Sequence, residues 1–122
     1  MAYALTLSKN GAAVVLGGSG GAGEVIARAL AQAGSAVAMT YLTNESKARQ
    51  LREEIATMGV GASIHRIDLR EMQAAMDEIR AIAGLHGGIH TLVYAAGPYH
   101  SLAPISEISP DELQSVIAIE VV

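Results

Sequence analysis

Between an apolar run, Ala12 to Leu16, and an amphipathic stretch, Glu24 to Ala33, the chain carries Gly17-Gly18-Ser19-Gly20-Gly21-Ala22-Gly23. Strand, glycine turn and helix in that order form the context in which such a turn binds phosphate. Glycine is needed because the backbone must reverse tightly, approach a diphosphate closely and seat the new helix against the strand, and a Cβ obstructs all three. The helix then opens with unpaired N–H groups and a partial positive charge, a ready site for an anion. Taken alone, the same glycines would serve equally as a flexible surface turn, so the flanking elements carry the argument. No Gly-Lys-Ser/Thr follows, which disfavours an ATPase loop.

The rest of the chain repeats the alternation of strand and helix. Ala12 to Leu16 suits a strand buried on both faces. Along the first helix Ala22, Ile26, Ala29/Leu30 and Ala33 recur at helical spacing and Glu24, Arg28 and Gln32 take the other face, with Gly34 as the stop. A second strand spans Ala36 to Tyr41. Asn44 is positioned to cap a helix whose apolar line is Ala48, Leu51, Ile55 and Met58, ended by Gly59 and Gly61. Ala62 to Ile67 is a third strand. Asp68 with Glu71 then resembles a capping arrangement for a helix that turns Met72, Met76, Ile79 and Ala83 inward.

After Gly84 to Gly88, Ile89 to Ala96 is a fourth strand, ended by Gly97-Pro98, and a loop runs from Tyr99 to Ile108. Ser109-Pro110-Asp111-Glu112 combines an N-cap, a first-turn proline and a capping-box glutamate, so a further helix is expected from Pro110. The predicted fold is α/β: a Rossmann-like, doubly wound parallel sheet of about four strands with flanking helices, binding its ligand at the carboxyl ends of the strands.

Composition narrows the function classes. With 122 residues the chain reads as one domain, 1–122, half apolar but without Phe or Trp, so aliphatic side chains must fill its core. A net charge of −4 and the lack of a Lys/Arg cluster argue against nucleic acid as a partner. There is no cysteine for a disulfide or thiolate metal site, and His65, His86, His90 and His100 lack ligand spacing, so no metal is expected. No apolar run approaches a membrane span and no leader pattern opens the chain, so a soluble cytoplasmic protein without a membrane partner is the expectation.

The spacing Gly17-x-x-x-Gly21-x-Gly23 resembles the T-G-x-x-x-G-x-G signature of the short-chain dehydrogenase/reductase superfamily, with Leu16 where that family has Thr. Leu92-Val93-Tyr94-Ala95-Ala96-Gly97 is similar to its L-V-N-N-A-G segment after the fourth strand, Tyr94 and Ala95 replacing the two asparagines. Asp68-Leu69 stands where family members place an Asp that contacts the adenine. A helix cap and an adenine contact are therefore both open for Asp68.

The resemblance implies a dinucleotide cofactor held by Gly17, Ser19, Gly20, Gly21, Ala22 and Gly23, by Tyr41, Thr43 and Asn44 after the second strand, and by Asp68, Leu69, Ala95, Ala96 and Gly97. Tyr41 lies where NAD-preferring relatives carry an Asp that repels a 2′-phosphate. Without that carboxylate, and with Ser46 and Lys47 close by, NADP(H) is expected to be favoured over NAD(H). Lys47 is equally readable as an ordinary exposed helix residue.

The implied chemistry is hydride transfer between nicotinamide and a carbonyl or alcohol carbon of a small molecule, in a homo-oligomer. The family's Ser and Tyr-x-x-x-Lys are absent from these residues, and Glu120 falls where its catalytic Asn would stand. No catalytic residue is therefore assigned within this chain, which is expected to be the cofactor-binding part of a longer enzyme and inactive alone. The rival expectations are a dinucleotide-binding module without catalysis and an interaction domain without a nucleotide.

Overall fold

The structure, a computed structural model of the chain, describes residues 10–96 together with Pro110 and Asp111. Its element order is β1 (Ala12–Leu16), α1 (Gly21–Gln32), β2 (Ala36–Tyr41), α2 (Glu45–Ala56), β3 (Ala62–Arg66), α3 (Met72–His86) and β4 (Ile89–Tyr94). The four strands are parallel and lie in the order β3-β2-β1-β4. The chain winds outward from β1 through β2 to β3, then returns to the other side of β1. That reversal opens a crevice at the carboxyl ends of the central strands, where open α/β sheets bind their ligands.

All five side chains of β1 are buried, as a strand covered on both faces requires. Alternation divides them between two cores. Ala13 and Val15 pack with Val37, Met39, Leu30, Leu51 and Ile55 beneath α1 and α2, whereas Val14 and Leu16 join Ala38, Ile67, Ala75 and Ile82 beneath α3. Among the described residues the largest wholly buried side chains are Met39, Ile55 and Ile82, so methionine and isoleucine fill space that aromatic rings occupy in other cores.

Several boundaries and faces differ from expectation for identifiable reasons. Helix α1 begins at Gly21 rather than Glu24, because the Gly20 carbonyl already accepts the Glu24 N–H at 2.8 Å. Its buried stripe is Gly23, Ala27, Leu30 and Ala31, while Ala22 and Ala29 are exposed. β3 and β4 end at Arg66 and Tyr94, earlier than expected, although Ile67 and Ala95 each donate one more bond, to Tyr41 O and Leu16 O at 2.9 Å.

The inward residues of α3 are Ala75, Ile79 and Ile82; Met72 and Met76 are exposed. The expected Met72-Met76 line lies about one residue around the helix from the face that meets the sheet. α3 also runs through Gly84 to His86 and stops at Gly87, whose φ of 75° is the left-handed cap that glycine favours. Asn44 does cap α2, its Oδ1 accepting from Lys47 N at 3.2 Å. Pro110 and Asp111 are helical, in keeping with the expected start, but the remainder of that helix, the loop before it and Gly97-Pro98 lie outside the described residues.

A polar chain joins β3 to α3. Ser63 Oγ lies 2.8 Å from His65 Nε2 and 2.7 Å from His86 Nε2, and His65 Nδ1 lies 3.1 Å from Glu78 Oε1. A carboxylate can only accept, so His65 donates to Glu78 from Nδ1; in its neutral form the ring then receives the Ser63 hydroxyl at Nε2, which leaves the Ser63 oxygen to accept from His86. Burial, then the nearby His65, holds the His86 imidazole below its ordinary value.

A histidine whose pKa is lowered by folding favours the native state only while neutral. Its contribution is present above the unfolded value of about 6.5 and is lost as pH falls below that value through the folded one. The thermal midpoint is therefore expected to drop by roughly a few degrees between pH 7.5 and pH 5.5. Calorimetric scans across that window should show the drop, and His86→Gln should flatten it.

Candidate dinucleotide site at the strand ends

The carboxyl ends of all four strands frame one groove. The glycine turn contributes Gly17, Ser19 and Gly20; Thr40, Tyr41 and Leu42 close the β2 side; Ile67, Asp68 and Leu69 the β3 side; Ala95 and Ala96 the β4 side.

The turn is fixed by close backbone contacts. Gly17 has φ +82°, and a Cβ there would lie 2.6 Å from Ala96 Cα, so glycine is required both for its conformation and for the approach of the β4 end. At Gly18 a Cβ would meet Met39 Cβ at 2.8 Å. At Gly23 it would run into the Gly17 carbonyl oxygen, which is how α1 sits against its own turn. Gly21 differs, because a Cβ there would meet no protein atom within 4 Å. Helix α1 has Gly20 as its cap residue and no side-chain cap, so its first-turn amides lack a side-chain partner, beside the Ser19 and Gly20 that line the groove. Uncapped amides, a glycine that leaves room and small alanine walls form a cradle that fits the diphosphate of a dinucleotide.

Thr40 anchors the cradle and was not singled out in the sequence. Its side chain is buried, its Oγ1 accepts from Gly17 N at 3.0 Å, and its carbonyl accepts from Gly18 N at 3.1 Å. A threonine in the otherwise apolar β2 was the available signal. Leu42 and Ile67, the other missed lining residues, directly adjoin assigned ones.

Of the other assigned residues, Tyr41, Leu69, Ala95 and Ala96 line the groove. Gly21, Ala22, Gly23, Thr43 and Asn44 are not in its lining: Gly23 is buried in the α1 seat, Gly21, Ala22 and Thr43 are exposed, and the Asn44 side chain is spent on its cap. Gly97 and Glu120 lie outside the described residues.

Asp68 lines the groove without capping α3. Its Oδ1 accepts from Arg70 N at 3.0 Å and Arg70 Nε at 2.9 Å, and its Oδ2 from Arg70 Nη2 at 2.8 Å, while Glu71 takes the cap position with no side-chain bond. A two-residue separation lets the aspartate fold onto its own turn, which competes successfully with reaching the helix. The Arg70 guanidinium holds the Asp68 carboxyl below the usual carboxylate range.

Lys47 does not line the groove. Its Nζ pairs with Glu24 Oε2 at 3.1 Å, and Arg28 bridges Glu24 and Glu54, tying α1 to α2. Partial burial, then the charge of Glu45, pushes the Tyr41 phenol upward, so it stays a neutral hydroxyl at neutral pH.

A family model described as short chain dehydrogenase matches residues 11–122. The acetoacetyl-CoA reductase of Shinella zoogloeoides is 31% identical over 105 residues, covering 86% of this chain and 41% of that protein. A dehydrogenase/reductase structure from Sinorhizobium meliloti 1021 aligns with a TM-score of 0.85 at 36% identity, over 95% of this chain and 45% of that one. A short chain dehydrogenase from Burkholderia cenocepacia J2315, in complex with NADP, aligns with a TM-score of 0.83 at 26% identity, over 93% and 46%. The chain spans less than half the length of each of these relatives.

Proposed function

This chain belongs to the short-chain dehydrogenase family, and from that membership we propose that residues 1–122 are the NAD(P)-binding domain of an oxidoreductase acting on a small carbonyl or alcohol compound. The observation that carries the reading is the cradle itself, in which the N-terminus of α1 has no side-chain cap and Gly21 leaves open the space a side chain would fill. When bound, the dinucleotide supplies hydride transfer to or from carbon.

In this reading the chain's own residues bind and orient. Gly20 and Gly21 offer amides to the diphosphate, Ser19 adds a hydroxyl beside them, and Ala95 and Ala96 let the cofactor lie close along the end of β4. Asp68 and Leu69 border the adenine end, with the Asp68 carboxylate held in place by Arg70. Ala22, Gly23, Thr43, Asn44 and Gly97 complete the proposed cofactor-binding set. Tyr41 supports NADP(H) over NAD(H), since a neutral phenol does not repel a 2′-phosphate as a carboxylate would. The solved relative held with NADP is in keeping with that choice.

A cytoplasmic setting and a homo-oligomer belong to the same reading; Leu92 and Tyr94, half or more exposed on the α3 face of β4, support the second. Among the described residues no helix is long and apolar enough to cross a membrane.

The alternative reading is a dinucleotide holder without chemistry of its own. Both readings expect the 122-residue chain to bind cofactor and to turn over no ketone or alcohol by itself, because no Tyr/Lys pair is present to move the proton. Calorimetric titration with NADPH and NADH tests the binding. Tighter NADPH is expected; tighter NADH would overturn the preference, and no heat with either would overturn the site.

A further inference from the structure

We propose that Arg66 is a specificity-determining residue for the 2′-phosphate of the dinucleotide, standing beside Tyr41 at the rim of the groove. The inference rests on the dinucleotide reading above and adds a residue to it.

Strand register places Arg66. The β2–β3 ladder ends with Tyr41 paired to Arg66, and the Ile67 N–H continues it to the Tyr41 carbonyl at 2.9 Å. Tyr41 lines the groove, so Arg66 occupies the neighbouring strand at the same level.

Alternation along β3 then decides the side. Ala62 and Ile64 pack on the core beneath α1 and α2, together with Val37 and Met39 of β2, while Ser63 and His65 face α3 through His86 and Glu78. Arg66 and Tyr41 continue the first series, two residues beyond Ile64 and Met39. They stand side by side where the apolar core gives way to the start of α2. Arg66 is exposed there, and its charge is felt at both Tyr41 and Asp68.

Charge accounting agrees: among the described residues Arg52 of α2 is also unpaired, but it stands about two turns along α2 from its start, whereas Arg66 ends its strand beside Tyr41. Lys47 is paired with Glu24, Arg49 with Glu45 at 3.0 Å, and Arg70 with both oxygens of Asp68. Among the described residues the Arg66 side chain forms no ion pair or hydrogen bond. A guanidinium is always charged and presents a planar fork that matches two oxygens of a phosphate, whereas the 2′-hydroxyl of NAD offers it no negative charge. Tyr41 contributes by lacking the negative charge that would compete for it.

Calorimetric titration of the 122-residue chain and its Arg66→Gln variant with NADP+, NAD+, 2′,5′-ADP and 5′-AMP tests this. Because the side chain is exposed, the variant is expected to keep the wild-type circular dichroism and thermal midpoint. Loss of one charge-assisted contact should weaken NADP+ and 2′,5′-ADP about tenfold or more and leave NAD+ and 5′-AMP within about twofold. Arg66→Lys should recover part of the loss, since it restores charge without the fork. Equal weakening of both nucleotide types, or none, would overturn the role of Arg66 while leaving the groove as the binding site. A wild-type chain that binds none of the four probes would overturn the dinucleotide reading and this inference with it.

Discussion

Replacing Gly21 with Val is expected to abolish dinucleotide binding while leaving the chain folded. Gly21 is the first residue of α1, its φ is not positive, and a Cβ would meet no protein atom within 4 Å. Nothing in the folded chain therefore resists the substitution, and exchanging a glycine for a residue of higher helix propensity costs nothing at that position.

The ligand would resist it. Helical Cβ atoms tilt toward the N-terminus, so at the first position of α1 a valine projects into the space before the uncapped amides, where a phosphate would lie. Two methyl groups there deny the anion its amide bonds and its approach, a loss on the order of a hundredfold or more in affinity when two charge-assisted contacts go together. Titration with NADPH, with circular dichroism and a thermal midpoint on the same sample, reads both halves. Unchanged affinity in the variant would reduce the glycine turn to a turn.

The contrast between positions shows what a sequence makes legible. β1 and β2 could be bounded to the residue because they are short apolar runs buried on both faces, and nothing but burial decides their extent. The start of α2 was equally clear, since Asn44 caps locally and Ala48, Leu51 and Ile55 form a single stripe, but its end was not: the helix stops at Ala56, short of the Met58 expected on that line. α3 was harder, since apolar residues lie on more than one side of it. The choice among Met72, Met76 and the true inward residues Ala75 and Ile82 is made by the distance to the sheet, where a small Ala75 permits close packing.

The same distinction holds in the groove. Glycine spacing announced the turn, and strand ends announced its neighbours, because both are properties of local chain. The assignment of side chains was less visible. Asp68 turns onto Arg70 in a local contact that competes with the cap the spacing suggested, while Lys47 reaches across to Glu24 and Thr40 clamps a loop 23 residues away, partnerships set by which elements lie side by side. Arg66 belongs with them: its nearness to Tyr41 is a fact of β-sheet register that no short motif contains.

Replacing Gly23, two residues after Gly21, is expected to have the opposite signature, a large loss of stability even for alanine. Gly23 is buried, and its added Cβ would collide with the Gly17 carbonyl oxygen while lying 2.8 Å from Gly17 C and from Gly18 Cα. These are backbone atoms, and they cannot withdraw. Gly17 and Gly18 are held by Thr40 through bonds of 3.0 and 3.1 Å, and the Gly17 carbonyl also accepts the Gly20 N–H at 3.1 Å. Relief must come from α1 moving away from β1, which would uncover Ala27, Leu30 and Ala31 from the core they share with Val15 and Met39. Overpacking of this kind costs about 1–3 kcal/mol or more, a large share of the roughly 5–15 kcal/mol that holds a domain folded. Urea unfolding followed by circular dichroism should place the Gly23→Ala midpoint well below that of Gly21→Val, and Gly23→Val lower still. Equal midpoints for the two alanine and valine exchanges would mean that the seat of α1 yields freely, and that the contact between Gly23 and Gly17 does not fix the turn.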